Sequence, residues 1–135
     1  MAAGIYNFSI EQGSTVDFTI QYKDSGSNPI DLTYYNARMD IRPTAGSSTL
    51  YLNVNSEDVK ADGTGMDLTP PDSNGNVLPA SSGSIRIFIS AATSSALTFD
   101  RGRYDLEIYS GSGDNVIVNK LLTGTVKLRK EVTTS

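Results

Sequence analysis

Asp105 and Glu107 stand two residues apart, so on an extended strand both carboxylates leave one face. That is the arrangement of an acid/base pair or of a metal site. Acid/base work also needs one carboxyl buried to separate the two pKa values, and the flanking sequence supplies no such burial. The pair therefore reads as the wetted face of a half-buried strand. Asp72-Ser73-Asn74-Gly75-Asn76 opens like a calcium loop. Val77 occupies the position that needs glycine, however, and Gly83 the position that needs a bidentate acid. A looser cation site built from Asp58, Asp62, Asp67 or Asp72 is the weaker alternative to a solvated loop. Asp62-Gly63-Thr64-Gly65 lacks the glycine spacing and the following lysine-bearing helix of a phosphate cradle. Arg38, Arg42 and Arg86, with Asp40 and Tyr109, could form a binding ladder on outward strand faces, but ordinary cross-strand pairing uses the same residues.

Composition narrows the chemistry further. The 135 residues contain no cysteine and no histidine, which removes disulfides, thiolate metal sites, cysteine nucleophiles, Ser-His-Asp triads and imidazole switches. No cofactor is expected. A net charge of −4 disfavours nucleic acid as a partner, because phosphate binding requires clustered cations. The charge is uneven: residues 1–100 carry 5 basic and 11 acidic side chains, and residues 101–135 carry 6 and 4. No apolar run approaches the roughly 18 residues of a membrane span, and the first residues lack a basic leader, so no membrane partner is expected; with neither His nor Cys to do chemistry, no small-molecule substrate is expected.

The elements that must position these residues are strands. Ser and Thr together number 30 and Gly 12, a turn-rich, β-compatible mixture. Alternation with period two marks Tyr6-Phe8-Ile10, Val16-Phe18-Ile20-Tyr22, Ala37-Met39-Ile41, Leu50-Leu52-Val54, Ile85-Ile87-Ile89, Tyr104-Leu106-Ile108, Val116–Val118 and Thr125–Leu128. Gly26 offers positive φ in the Lys23–Asn28 turn, Gly111–Asn115 is a second turn, and Gly124 marks a bulge. Ser90 caps one short helix through Leu97. The pattern predicts an all-β, immunoglobulin-like antiparallel sandwich of seven or eight strands with one short helix, in a single domain over 1–135. Asp100-x-Gly102-x-Tyr104 fits a corner in which glycine makes a tight turn and the tyrosine hydroxyl bonds back to the preceding corner's backbone.

Residues 57–83 interrupt the alternation, with only Met66-Asp67-Leu68 hinting at a strand. The stretch reads as a long irregular loop that orders against a partner through Val59, Met66, Leu68, Val77 and Leu78. On that reading the chain folds without residues 59–79. Met1–Gly4 and Glu131–Ser135 are the expected docking arms.

Three stretches carry a resemblance to a family of small phage and prophage structural proteins. They are Gln12–Thr19 with Lys23–Thr33 and Tyr35–Arg42, then Ile87–Ala92 with Gly102–Ile108, and finally Leu121–Val126 with Glu131–Thr133. The family resembles the N-terminal β-sandwich of phage upper-baseplate proteins. The resemblance implies a non-enzymatic virion protein, made in the host cytoplasm, that docks on a tail, baseplate or fibre attachment site. Its partners would be other virion proteins or copies of itself. A capsid decoration protein and a carbohydrate-binding module are the alternative readings, since sandwiches host all three.

Overall fold

The computed structural model describes residues 4–111 and 116–130, so most of the Gly111–Asn115 turn and both docking arms, Gly4 apart, lie outside the described residues. Nine strands occur among the described residues: β1 Gly4–Ile5, β2 Phe8–Glu11, β3 Val16–Gln21, β4 Asn36–Arg42, β5 Leu52–Asn55, β6 Gly65–Asp67, β7 Ser84–Ile89, β8 Arg101–Ser110 and β9 Ile117–Arg129. They make an all-β sandwich. One sheet runs β1-β9-β8-β4-β5, with β2 also on β9, and the other runs β3-β7-β6. The expected helix is α1, Ala91–Ser95, whose first turn is capped by the Ser90 hydroxyl accepting from the Thr93 amide at 3.0 Å.

Register follows the alternation. Ala37, Met39, Ile41, Ile85, Ile87, Ile89, Leu106 and Ile108 are each at most 1% exposed and fill the space between the sheets. Their strand neighbours Arg38, Asp40, Arg86 and Glu107 stay half-exposed. A one-residue slip would exchange the two sets and bury four charges, which fixes the pairing.

Three local expectations are corrected. The N-terminal segment is two strands, and both pair parallel to β9, so the sandwich is not wholly antiparallel. The chain kinks at Tyr6-Asn7, where the Tyr6 amide donates to the Thr123 carbonyl at 3.0 Å and the Thr125 amide donates to Asn7 Oδ1 at 2.8 Å. Gly124 lies under this kink. A Cβ there would stand 2.1 Å from the Tyr6 carbonyl oxygen, so the glycine admits a close backbone approach. The β8–β9 bulge falls instead between Leu106 and Glu107, which face Leu122 and Lys120 and leave Leu121 as the extra residue. In the Lys23–Asn28 turn it is Ser27, not Gly26, that takes positive φ, at 65°. Asp24 Oδ1 accepts from the Gly26 and Asn28 amides, both at 2.9 Å, and holds the turn.

The 57–83 stretch is the largest correction. Its β6 pairs with β7, and Thr64, Met66, Leu68 and Pro70 are buried in it. Asp67 Oδ1 accepts from the Thr69 amide, and Asp72 Oδ1 from the Asn74 and Asn76 amides, so the acidic residues close turns. The stretch belongs to the fold's own core, and removing residues 59–79 would remove one sheet edge.

Candidate interaction surfaces

The five apolar residues expected to meet a partner separate into two classes. Met66 and Leu68 are 3% and 9% exposed and pack in the core, so they are corrected to structural residues. Val59 and Val77 are exposed and Leu78 is half-buried. Val59 shares a surface depression with Met66, Phe88 and Arg86. Val77 and Leu78 lie in the turn closed by the Pro71–Val77 bridge, and Leu78 donates its amide to the Pro70 carbonyl at 2.9 Å.

The Asp100-x-Gly102-x-Tyr104 corner is also rearranged. Gly102 sits within β8 and is not among the positive-φ glycines; a Cβ there would come within 2.9 Å of Ile41 Cγ2 and 3.0 Å of the Arg42 carbonyl. It provides room for β4, not a tight turn. The Tyr104 hydroxyl donates to the Tyr6 carbonyl at 2.5 Å, so it pins the N-terminal kink and not the preceding corner. Burial, then the Tyr6 hydroxyl and the Asp105 carboxylate, push the Tyr104 hydroxyl up to about 12. Asp100 is exposed and meets Lys130 at 3.8 Å.

The carboxylates singled out on the outer face of the large sheet each pair with a cation. Glu107 meets Arg38 at 2.9 Å, Asp105 meets Lys120 at 3.3 Å, and Asp40 meets Arg42 at 3.0 Å. Arg38 also lies 4.5 Å over the Tyr109 ring. Arg86 belongs to the other sheet, where its Nε and Nη2 donate to the two carboxylate oxygens of Asp17, both at 2.8 Å, so no single arginine ladder exists. Asp62 is engaged too: Ser90 and Thr93 hydroxyls donate to its Oδ2 at 2.6 and 2.7 Å and the Thr64 amide to its Oδ1 at 2.9 Å. The Ser90 hydroxyl first, then the Thr64 amide and Thr93 hydroxyl, hold this carboxyl well below the usual range. Among the described residues no cluster of acidic side chains is arranged to hold a metal ion.

Two surface features escaped sequence reasoning. An apolar groove gathers Ile5, Tyr6, Ile20, Tyr22, Leu121 and Leu122 where β1 and β9 approach β3. Alternation placed Tyr6, Ile20 and Tyr22 in strands, but the adjacency of all six depends on the parallel pairing of β1 with β9. The second feature is a block of cations: Arg101 faces Lys127 across β8–β9, and Arg103 faces Arg42 across β8–β4. The surplus of positive charge after residue 100 was the only advance signal of it. No helix among the described residues is long and apolar enough to cross a membrane.

No protein-family model matches the chain, and no curated protein matches it. Among solved structures the fold is similar to the N-terminal domain of phage TP901-1 ORF48, with a TM-score of 0.52 and 8% identity. The alignment covers 96% of this chain and 100% of that one. At that identity the likeness is one of fold.

Proposed function

We propose that this chain is a non-enzymatic virion structural protein, a β-sandwich that docks on a phage tail, baseplate or fibre attachment site. The observation that carries the reading is the fold likeness to a phage protein domain over essentially the full length of both chains. The chemistry of the surface supports it. The chain has neither histidine nor cysteine, and the carboxylates best spaced for catalysis, Asp105 and Glu107, are each paired with a cation on an open sheet face. Neither carboxyl has the burial that general acid/base catalysis uses to set an acid apart from a base. The surface instead offers sheet edges, an apolar groove and a charged face, which are features that neighbours in an assembly contact.

Purified virions from the genome that encodes the chain provide the test. The expected result is the protein present at a fixed copy number by mass spectrometry, with density for the sandwich at a tail or baseplate position in a localised cryo-EM map. Absence from the particle overturns the reading. So does a glycan-cleaving activity that Asp105→Asn or Glu107→Gln abolishes.

A further inference from the structure

We infer that the cationic block Arg101, Arg103, Lys127 and Arg42, on the outer face of the large sheet, is a docking surface for an acidic extended segment of a protein neighbour. Gly102, Tyr104, Val126 and Leu128 point into the core, so Arg101, Arg103 and Lys127 project outward from adjacent strands. Two cross-strand rungs carry like charges, Lys127 against Arg101 and Arg103 against Arg42. Like charges directly opposite each other destabilise a sheet. Three other sheet arginines have carboxylate partners, Arg38 with Glu107, Arg86 with Asp17 and Arg42 itself with Asp40, while Arg129 at the end of β9 has no ion pair among the described residues. Arg101, Arg103 and Lys127 meet no carboxylate among the described residues. A chain with 15 acidic and 11 basic side chains thus keeps three cations side by side and unpaired.

Geometry selects the ligand. Successive rungs on one strand face are about 6.8 Å apart, which is also the spacing of alternate side chains on an extended segment, so glutamates at every second position meet one rung each. Guanidinium groups bind carboxylates in two-point geometry. The depression on one side of the block is lined by Asn7, Ser9 and Thr125, which supply a polar rim, and the one on the other side joins Arg42 and Arg103 to the carboxylates Asp40, Asp105 and Glu107, which close the block there. The next rung is Asp105 opposite Asp40, an acidic row that bounds the two cationic rungs and repels any anion reaching it, so the block takes two carboxylates one rung apart and not a continuous run of negative charge along the strands. A short acidic peptide segment fits within that boundary better than a nucleic acid.

That the neighbour is a virion protein rests on the proposed function; that the block binds carboxylates does not. The test uses the full chain and three fluorescent probes: an eight-residue threonine peptide with Glu at its fourth and sixth positions, the same peptide with Gln for Glu, and an eight-residue thymidine oligonucleotide. The Glu peptide is expected to bind, more weakly as salt rises, and to shift the amide resonances of Arg101, Arg103 and Lys127, while the Gln peptide does not bind. The double variant Arg101→Ser/Arg103→Ser should bind about tenfold or more weakly, as expected when charge-assisted contacts are lost. Its Tm should be unchanged or higher, because repulsion is relieved. Lys127→Ser provides a second variant should the double one fail to fold. Failure of the Glu peptide to bind, equal binding by the double variant, or tighter binding of the oligonucleotide would each overturn the inference. Particle incorporation separates the two readings. Wild-type protein missing from virions defeats the virion role and leaves the peptide result standing, whereas incorporation of wild type and double variant alike defeats the docking role of the block alone.

Discussion

Replacing Tyr104 by phenylalanine removes one oxygen from the interior and leaves the ring, which packs edge-on to Phe8 at 5.1 Å. The lost group is the donor to the Tyr6 carbonyl, at the kink between β1 and β2. A hydrogen bond of this kind is worth roughly 0.5–1.5 kcal/mol net, and a carbonyl left without its partner costs about 1–3 kcal/mol, so Tyr104→Phe should destabilise the fold by about 1–3 kcal/mol at neutral pH. Urea unfolding should show a lower midpoint with an unchanged slope, because little surface changes. The deficit also has a pH signature. The folded state holds the hydroxyl proton up to about 12, whereas an unfolded tyrosine releases it near 10, so the unfolded state binds fewer protons between those values and wild-type stability falls across that window. The fall amounts to roughly 2–3 kcal/mol. The phenylalanine variant has no such proton, so the gap between the two proteins should narrow from pH 10 to 12. A neutral-pH loss below about 0.3 kcal/mol would refute the pinning role of Tyr104, and a gap that does not change with alkali would refute the burial of its hydroxyl.

Gly124→Ala places a methyl group 2.1 Å from the Tyr6 carbonyl oxygen. It should detach the N-terminal strands, lowering Tm more than Tyr104→Phe does and accelerating amide exchange at Phe8 and Ile10. Asp62→Asn tests the tie between the 57–64 segment and the cap of α1. The depressed carboxyl contributes stability that is present above the unfolded value near 4 and lost as pH falls through its lower folded value, so the variant's acid unfolding curve should be flatter below about pH 4; curves of equal steepness would count against the tie. Met39→Ala should cost about 2–5 kcal/mol in chemical denaturation through the cavity it opens in the buried sheet interface. Deleting residues 59–79 should abolish cooperative unfolding, since β6, Met66 and Leu68 leave with it, and a folded deletion product would show that the segment is peripheral.

Much of the architecture was legible in the chain itself because strand periodicity is local. Ala37-Met39-Ile41 against Arg38-Asp40-Arg42 declares which face is buried wherever the strand is placed, and Ser90 followed by a run of small residues declares a capped helix. The absence of histidine and cysteine restricts the available chemistry before any folding. What the sequence could not supply was adjacency between distant segments. Whether Tyr6 and Phe8 pair parallel or antiparallel is not encoded in alternation, since both arrangements bury the same side chains. Gly124 is explained only by a carbonyl more than one hundred residues upstream. Met66 and Leu68 sit among prolines and aspartates that mimic a solvated loop, and only the pairing of β6 with β7 makes them core. The basic surplus after residue 100 is visible in a count, but its concentration into two like-charged rungs arises from the β8–β9 and β8–β4 registers, and register is a property of tertiary structure.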